Sequence, residues 1–226
     1  PHFSDDLVTM GLQAATHGDG LSHVSYDHTL YNGVPTSTIT ARDGSTVLGI
    51  ENVRHQVGRG VLLDLPAAKG LDALASNHEV TGGDLDEAAE FGGVEIRPGD
   101  IVLIRTGRIQ QFFDGGAAAS LGGPDGDGTC PGPWLDAVRW FRRHDVAAVA
   151  NDTYIFELFP PPTWDNALAI HCLDVVDMGL TQGQNWNLEP LSTACAEHGR
   201  HEFFLAASPE PFVGGCGAPV NPVAVF

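Results

Sequence analysis

Four short apolar runs, separated by stretches with helical spacing, set the tightest limit on what this chain can fold into. Val61 to Leu65, Ile101 to Arg105, Val146 to Ala150 and Phe203 to Ala207 have strand length and β-favouring residues at their centres. Helices are predicted over Asp84 to Phe91, Pro133 to Arg143 and Glu189 to Glu197. In the second, Trp134, Leu135, Val138 and Phe141 keep a three-to-four spacing while Arg139, Arg142 and Arg143 take the other side. With no internal repeat or low-complexity linker, this alternation predicts one compact mixed α/β domain over residues 1–226. Val220 to Phe226 reads as a last strand, which Pro222 places at an edge or bulge. Gly115 to Pro133 holds seven glycines and three prolines, and so reads as a loop, where substrate selectivity would reside.

The chemistry gathers in an eleven-residue run from Gln13 to His23, which brings His17, Asp19, His23 and the Gln13 amide within reach of one point. His17 and Asp19 stand two apart, so an extended segment puts them on one face, whereas a helix would separate them by about 200°. The run is therefore predicted as strand or loop. Imidazole nitrogen and carboxylate oxygen together suit zinc or manganese, and three protein ligands leave a position open for water. Gln13 can supply the third contact through its amide oxygen. Spacing alone leaves a solvated acidic loop with hydrogen-bonded histidines equally open.

The same run resembles the signature of the Putative cyclase family, which includes bacterial kynurenine formamidases and isatin hydrolases. That signature reads His, X, Gly, Thr, His, X, Asp, X, Pro, X, His. Thr16, His17, Asp19 and His23 match it, while Gln13, Ala15 and Leu21 replace its first His, its Gly and its Pro. The continuation through His23, Val24, Ser25, Tyr26 and Asp27 towards Leu30, Tyr31, Asn32 and Gly33 is similar to a branch that opens with Gln. Gly58 to Pro66 and Arg97 to Gly107 are similar to family strand segments, and Gly214 to Val220 to the C-terminal glycine turn. His171, followed by Gln184 and Asn185, resembles the family's His and Glu-Asn-Leu pair with Gln in place of Glu.

The resemblance implies a swivelling β/β/α cyclase-like domain whose N-terminal part precedes residue 1, and assembly as a homodimer or homotetramer. It implies one divalent ion, zinc or manganese, held by Gln13, His17 and Asp19, with His23 as general base. Thr16, His171 and Gln184 fall to substrate or hydrogen-bonding roles, because Gln184 removes an anionic ligand that a second ion would need. The implied activity is hydrolysis of an amide, lactam or ester bond in a small cyclic or aromatic carbonyl compound, similar to arylformamidases. A lactonase or dehydrating cyclase on the same site, or a non-catalytic binding homologue, are the alternatives. Phe3, Tyr26 and Tyr31 could face such a ring, though core packing is the expected use of each.

Charge narrows the partners. Twenty-nine acidic against eleven basic residues give a formal charge of -18, a field that repels nucleic acid and anionic membranes and leaves a small molecule as the expected partner. Cys130, Cys172, Cys195 and Cys216 show no paired spacing, so neither a disulfide framework nor a zinc ribbon is predicted. No stretch approaches the ~20 apolar residues of a membrane span, and no signal peptide precedes Pro1. A cytoplasmic location is expected, an export signal ahead of residue 1 being outside this sequence. His198 and His201 flank the end of a predicted helix, where a cation offsets the dipole.

Overall fold

Strands apolar along their whole length must be covered on both faces, and the computed structural model, describing residues 1–122 and 128–226, shows how. Eight strands form one sheet: β1 (His17–Asp19), β2 (Val57–Asp64), β3 (Ile101–Arg105), β4 (Ala148–Asn151), β5 (Thr181–Gln184), β6 (Glu202–Ala206), β7 (Gly217–Pro219) and β8 (Val223–Val225). Their order is β7-β1-β5-β4-β3-β2-β6-β8. The middle four run parallel, and the flanking strands pair antiparallel at each side.

Alternate side chains build two cores. Val61, Leu63, Val102, Ile104 and Val149 face α2 (Gly82–Phe91) and α4 (Leu135–Arg143), where Leu85, Ala88, Trp140 and Phe141 are buried. Leu62, Ile101, Leu103 and Ala150 point the other way, onto Trp186, Leu188, Phe203 and Cys195 of α6 (Glu189–His198). The mixed α/β fold read from the sequence is therefore present. α2 begins two residues earlier than predicted because Thr81 and Asp84 close a capping box, Thr81 Oγ1 accepting from Asp84 N and Asp84 Oδ2 from Thr81 N.

Several expectations need correction. Gly115 to Gly122 is not loop but the greater part of α3 (Gln110–Gly122), which bends at Gly116 (φ 72°). The run Ala117 to Leu121 is a good helix former that the surrounding glycines obscured. Residues 123–127 of the predicted loop lie outside the described residues, and Gly132–Pro133 pairs in parallel with Glu79–Val80. In α4, Leu135 is exposed and Trp140 takes the buried place, its Nε1 donating to Asp86 Oδ1 at 2.6 Å. Of the predicted last strand, Val220 to Phe226, Val223–Val225 forms β8 at the sheet edge, directly after Pro222, while β7 ends just before Val220. Phe3 and Tyr26 are exposed rather than core, and Tyr26 donates to Asp177. His198 stacks on Phe226 with ring centroids 4.6 Å apart. Among the described residues no helix is long and apolar enough to cross a membrane, and the four cysteines are free.

The parallel strand ends are tied by Asp152, just beyond β4. It accepts from Thr106 N at 2.9 Å, Thr106 Oγ1 at 2.7 Å and Gly107 N at 2.7 Å. Burial outweighs these bonds and pushes its carboxyl from 3.8 up to about 6. The folded chain thus binds this proton more tightly than the unfolded one, so stability falls as pH rises from about 4 to about 6 and is level above. A gap of about two pKa units corresponds to ~3 kcal/mol. The urea unfolding free energy of wild type minus that of Asp152→Asn is expected to fall by this amount across that window. A pH-independent difference would contradict the assignment.

Candidate metal centre

β1 is only three residues long, yet it sits between two strands from the far end of the chain. His17 pairs with Gln184 of β5, and Asp19 with Gly217 of β7. Glycines make the close approach feasible. A Cβ on Gly183 would stand 2.5 Å from Trp186 Nε1, whose N–H donates to the His17 carbonyl at 3.0 Å. In this register His17, Asp19 and Gln184 share one face, as the period of two requires. A turn follows: Gly20 N donates to Cys216 O at 2.8 Å and His23 N to Gly20 O at 2.9 Å, which folds His23 back over Asp19.

Three imidazoles converge on Asp19. His17 Nε2 lies 3.6 Å and His23 Nε2 3.7 Å from Asp19 Oδ1, and His171 Nε2 lies 4.0 Å from Oδ2. Gln184 bridges the group, donating through Nε2 to Asp19 Oδ2 at 2.6 Å and to His171 Nε2 at 3.2 Å, with its Oε1 2.6 Å from His17 Nε2. His17 Nδ1 is held by the Ala15 carbonyl at 2.6 Å, which aims Nε2 inward. Thr16 Oγ1 donates to the Asn185 carbonyl at 2.7 Å and so staples the two strands outside the cluster.

Whether this set suits a cation is answered by Asp19 itself. The residue is 1% exposed, and its Oδ1 has no hydrogen-bond partner among the described residues. A buried carboxylate oxygen without a donor is costly. Ligand atoms around a tetrahedral ion with bonds of ~2.0–2.1 Å lie ~3.3–3.5 Å apart, close to the separations here. Asp19, His23 and His171 place one ligand atom each within 4.8 Å of one another, and the donor set fits zinc or manganese. Burial lowers the pKa of His23, against the Asp19 charge that raises it, with His171 and His17 adding to the lowering. Burial thus favours the neutral ring, which can bind a cation or accept a proton.

Of the residues singled out in the sequence, His17, Asp19, His23, His171 and Gln184 come together. Gln13 instead reaches His23, with its Nε2 3.4 Å from Nδ1. His171 and Gln184 lie inside the cluster, with Gln184 hydrogen-bonded to its members. Sequence reasoning missed Glu157, which is fully buried behind His171 and receives its Nδ1–H. The signal was a single carboxylate inside the apolar run Ile155 to Phe159.

Three imidazoles and a carboxylate at the end of an open mixed sheet define a candidate metal centre of an α/β protein. The chain belongs to the family described as Putative cyclase, whose sequence model matches residues 1–157. A crystal structure described as a novel cyclase is 39% identical, with a TM-score of 0.90 over 100% of this chain and 74% of that one. Isatin hydrolase A from Ralstonia solanacearum superposes with a TM-score of 0.69 at 23% identity, over 96% of this chain and 73% of its own. A predicted metal-dependent hydrolase from Bacillus stearothermophilus gives a TM-score of 0.57 at 16% identity, over 98% and 83%. The last two likenesses show the fold. No curated protein matches the chain at a significant level.

Proposed function

We propose that the protein is a hydrolase dependent on one zinc or manganese ion, opening an amide, lactam or ester bond of a small cyclic or aromatic carbonyl compound. The observation that carries this reading is the buried, donorless Asp19 Oδ1 facing the Nε2 atoms of His17 and His23. Family membership and the hydrolase neighbours support it. Asp19 and His17 would hold the ion, with Gln13 or His171 completing the set. When bound, such an ion supplies Lewis acidity towards a carbonyl oxygen and makes water more acidic.

The protein's own groups do the rest. His23, with its side chain 29% exposed, is the most open of the three rings, so it stands where water and substrate arrive. Its neutral ring takes the proton of the attacking water and returns it to the leaving nitrogen or oxygen. The Asp19 carboxylate, 3.7 Å away, stabilises the imidazolium in between. Gln184 holds Asp19 and His171 in place through its amide. Assembly as a homodimer or homotetramer belongs to the same proposal.

The test is a screen of formamides, lactams and lactones with protein reconstituted in zinc or manganese, followed by acid release. Turnover that a chelator removes and the ion restores is expected. Turnover indifferent to chelator, or none on any of the three classes, would overturn the reading.

A further inference from the structure

Glu157 is a carboxylate with no water to solvate it, placed by devices that a packing role would not need. It is 0% exposed between Phe156 and Leu158, in a segment that is otherwise core. Phe156 adopts φ 67°, a left-handed conformation costly for a bulky side chain, and its carbonyl is fixed by Asn151 Nδ2 at 2.8 Å. Gly132 has no room for a Cβ, which would overlap that same carbonyl. The result of this bend is a single contact surface. Glu157 Oε2 accepts from the backbone N–H of His171 at 3.1 Å and from its Nδ1.

With Nδ1 against Glu157 Oε2 and the Gln184 amide N–H aimed at Nε2, the His171 ring donates from Nδ1 and accepts at Nε2. That nitrogen faces Gln184 Nε2 at 3.2 Å and Asp19 Oδ2 at 4.0 Å. We propose that Glu157 is a positioning residue for the metal centre, fixing the rotation and tautomer of His171 so that its Nε2 lone pair is presented to the cation beside Asp19. The proposal rests on the metal-dependent reading above for its last clause only; the tautomer itself follows from the contacts. Asp174, one turn on from His171, is fully buried with both oxygens lacking partners among the described residues. Burial and then the Glu157 charge hold its carboxyl well above the usual range.

Two measurements separate the parts. Nitrogen-15 NMR of the metal-free wild type is expected to show His171 with Nδ1 protonated and Nε2 bare. A ring protonated at Nε2 would overturn the proposal whether or not any metal binds, and without a variant that has to fold. Zinc and manganese titration calorimetry then compares wild type with Glu157→Gln, which keeps the shape and loses the charge, and with Asp174→Asn as a neighbouring control. Glu157→Gln is expected to weaken binding roughly 10- to 100-fold, with the melting temperature of the metal-free protein nearly unchanged. Asp174→Asn is expected to leave affinity within about twofold. Unchanged affinity in a folded Glu157→Gln protein would overturn the proposal. Absence of binding by wild type would sink the metal reading, while the tautomer measurement still decides the role of Glu157.

Discussion

Purified Asp19→Ala protein is expected to carry no divalent ion where wild type carries about one equivalent by plasma mass spectrometry. Asp19 is met by His17 and His23 at 3.6 and 3.7 Å on one oxygen, and by Gln184 at 2.6 Å and His171 at 4.0 Å on the other. Removing it takes away the carboxylate of the Asp19, His23 and His171 group and leaves imidazole nitrogen, which holds a hard dication less well. It also removes the charge that would steady a protonated His23. Carbonyl polarisation and proton transfer fail together, so turnover is expected to drop by ~10³-fold or more. Stability should move the other way, because a buried carboxylate oxygen without a donor disappears. An Asp19→Ala protein that keeps its ion would show the centre to be elsewhere, and the hydrolase reading would fall with it.

His23→Ala carries the second large effect and separates two roles that geometry brings close. As general base, His23 is worth ~10²–10⁴-fold in kcat, and its loss should leave metal content untouched, because His17, His171 and Asp19 remain. The accessible ring and the burial-lowered pKa both fit a base working at neutral pH. Loss of the ion along with turnover would reassign His23 as a ligand, which its place in the Asp19, His23 and His171 group permits. Metal retained with undiminished turnover would remove His23 from the chemistry altogether.

The legible part of this molecule was what short-range chemistry dictates. Ile101–Arg105 appears with its predicted bounds, and the extended geometry required of His17 and Asp19 is met by β1. The central roles of His171 and Gln184 could not be read, because they depend on β5 pairing with β1 across more than 160 residues. Glu157 was hidden for the same reason, its partner lying in a helix that periodicity did not reveal: Ala169–His171 runs on as a π-helix from Cys172 to Met178. The contact of Gln13 with His23 is likewise illegible in spacing, because ligand counting ignores where an amide finds its nearest partner. Where α3 was taken for loop, glycine count outweighed the alanines that follow Gly116.

The position of β1 has a consequence for how this protein comes into being. Its neighbours, β5 and β7, lie far downstream of it, so a chain emerging from the ribosome carries His17, Asp19 and His23 without the strands that order them until those are made. At ~5–20 residues per second the interval is on the order of ten to forty seconds. The parallel strands β2, β3 and β4 can meet during that time, and β1 finds its partners only once Gln184 and Gly217 have appeared. An ion captured early would be held by a floppy peptide, and one captured late by a finished cage.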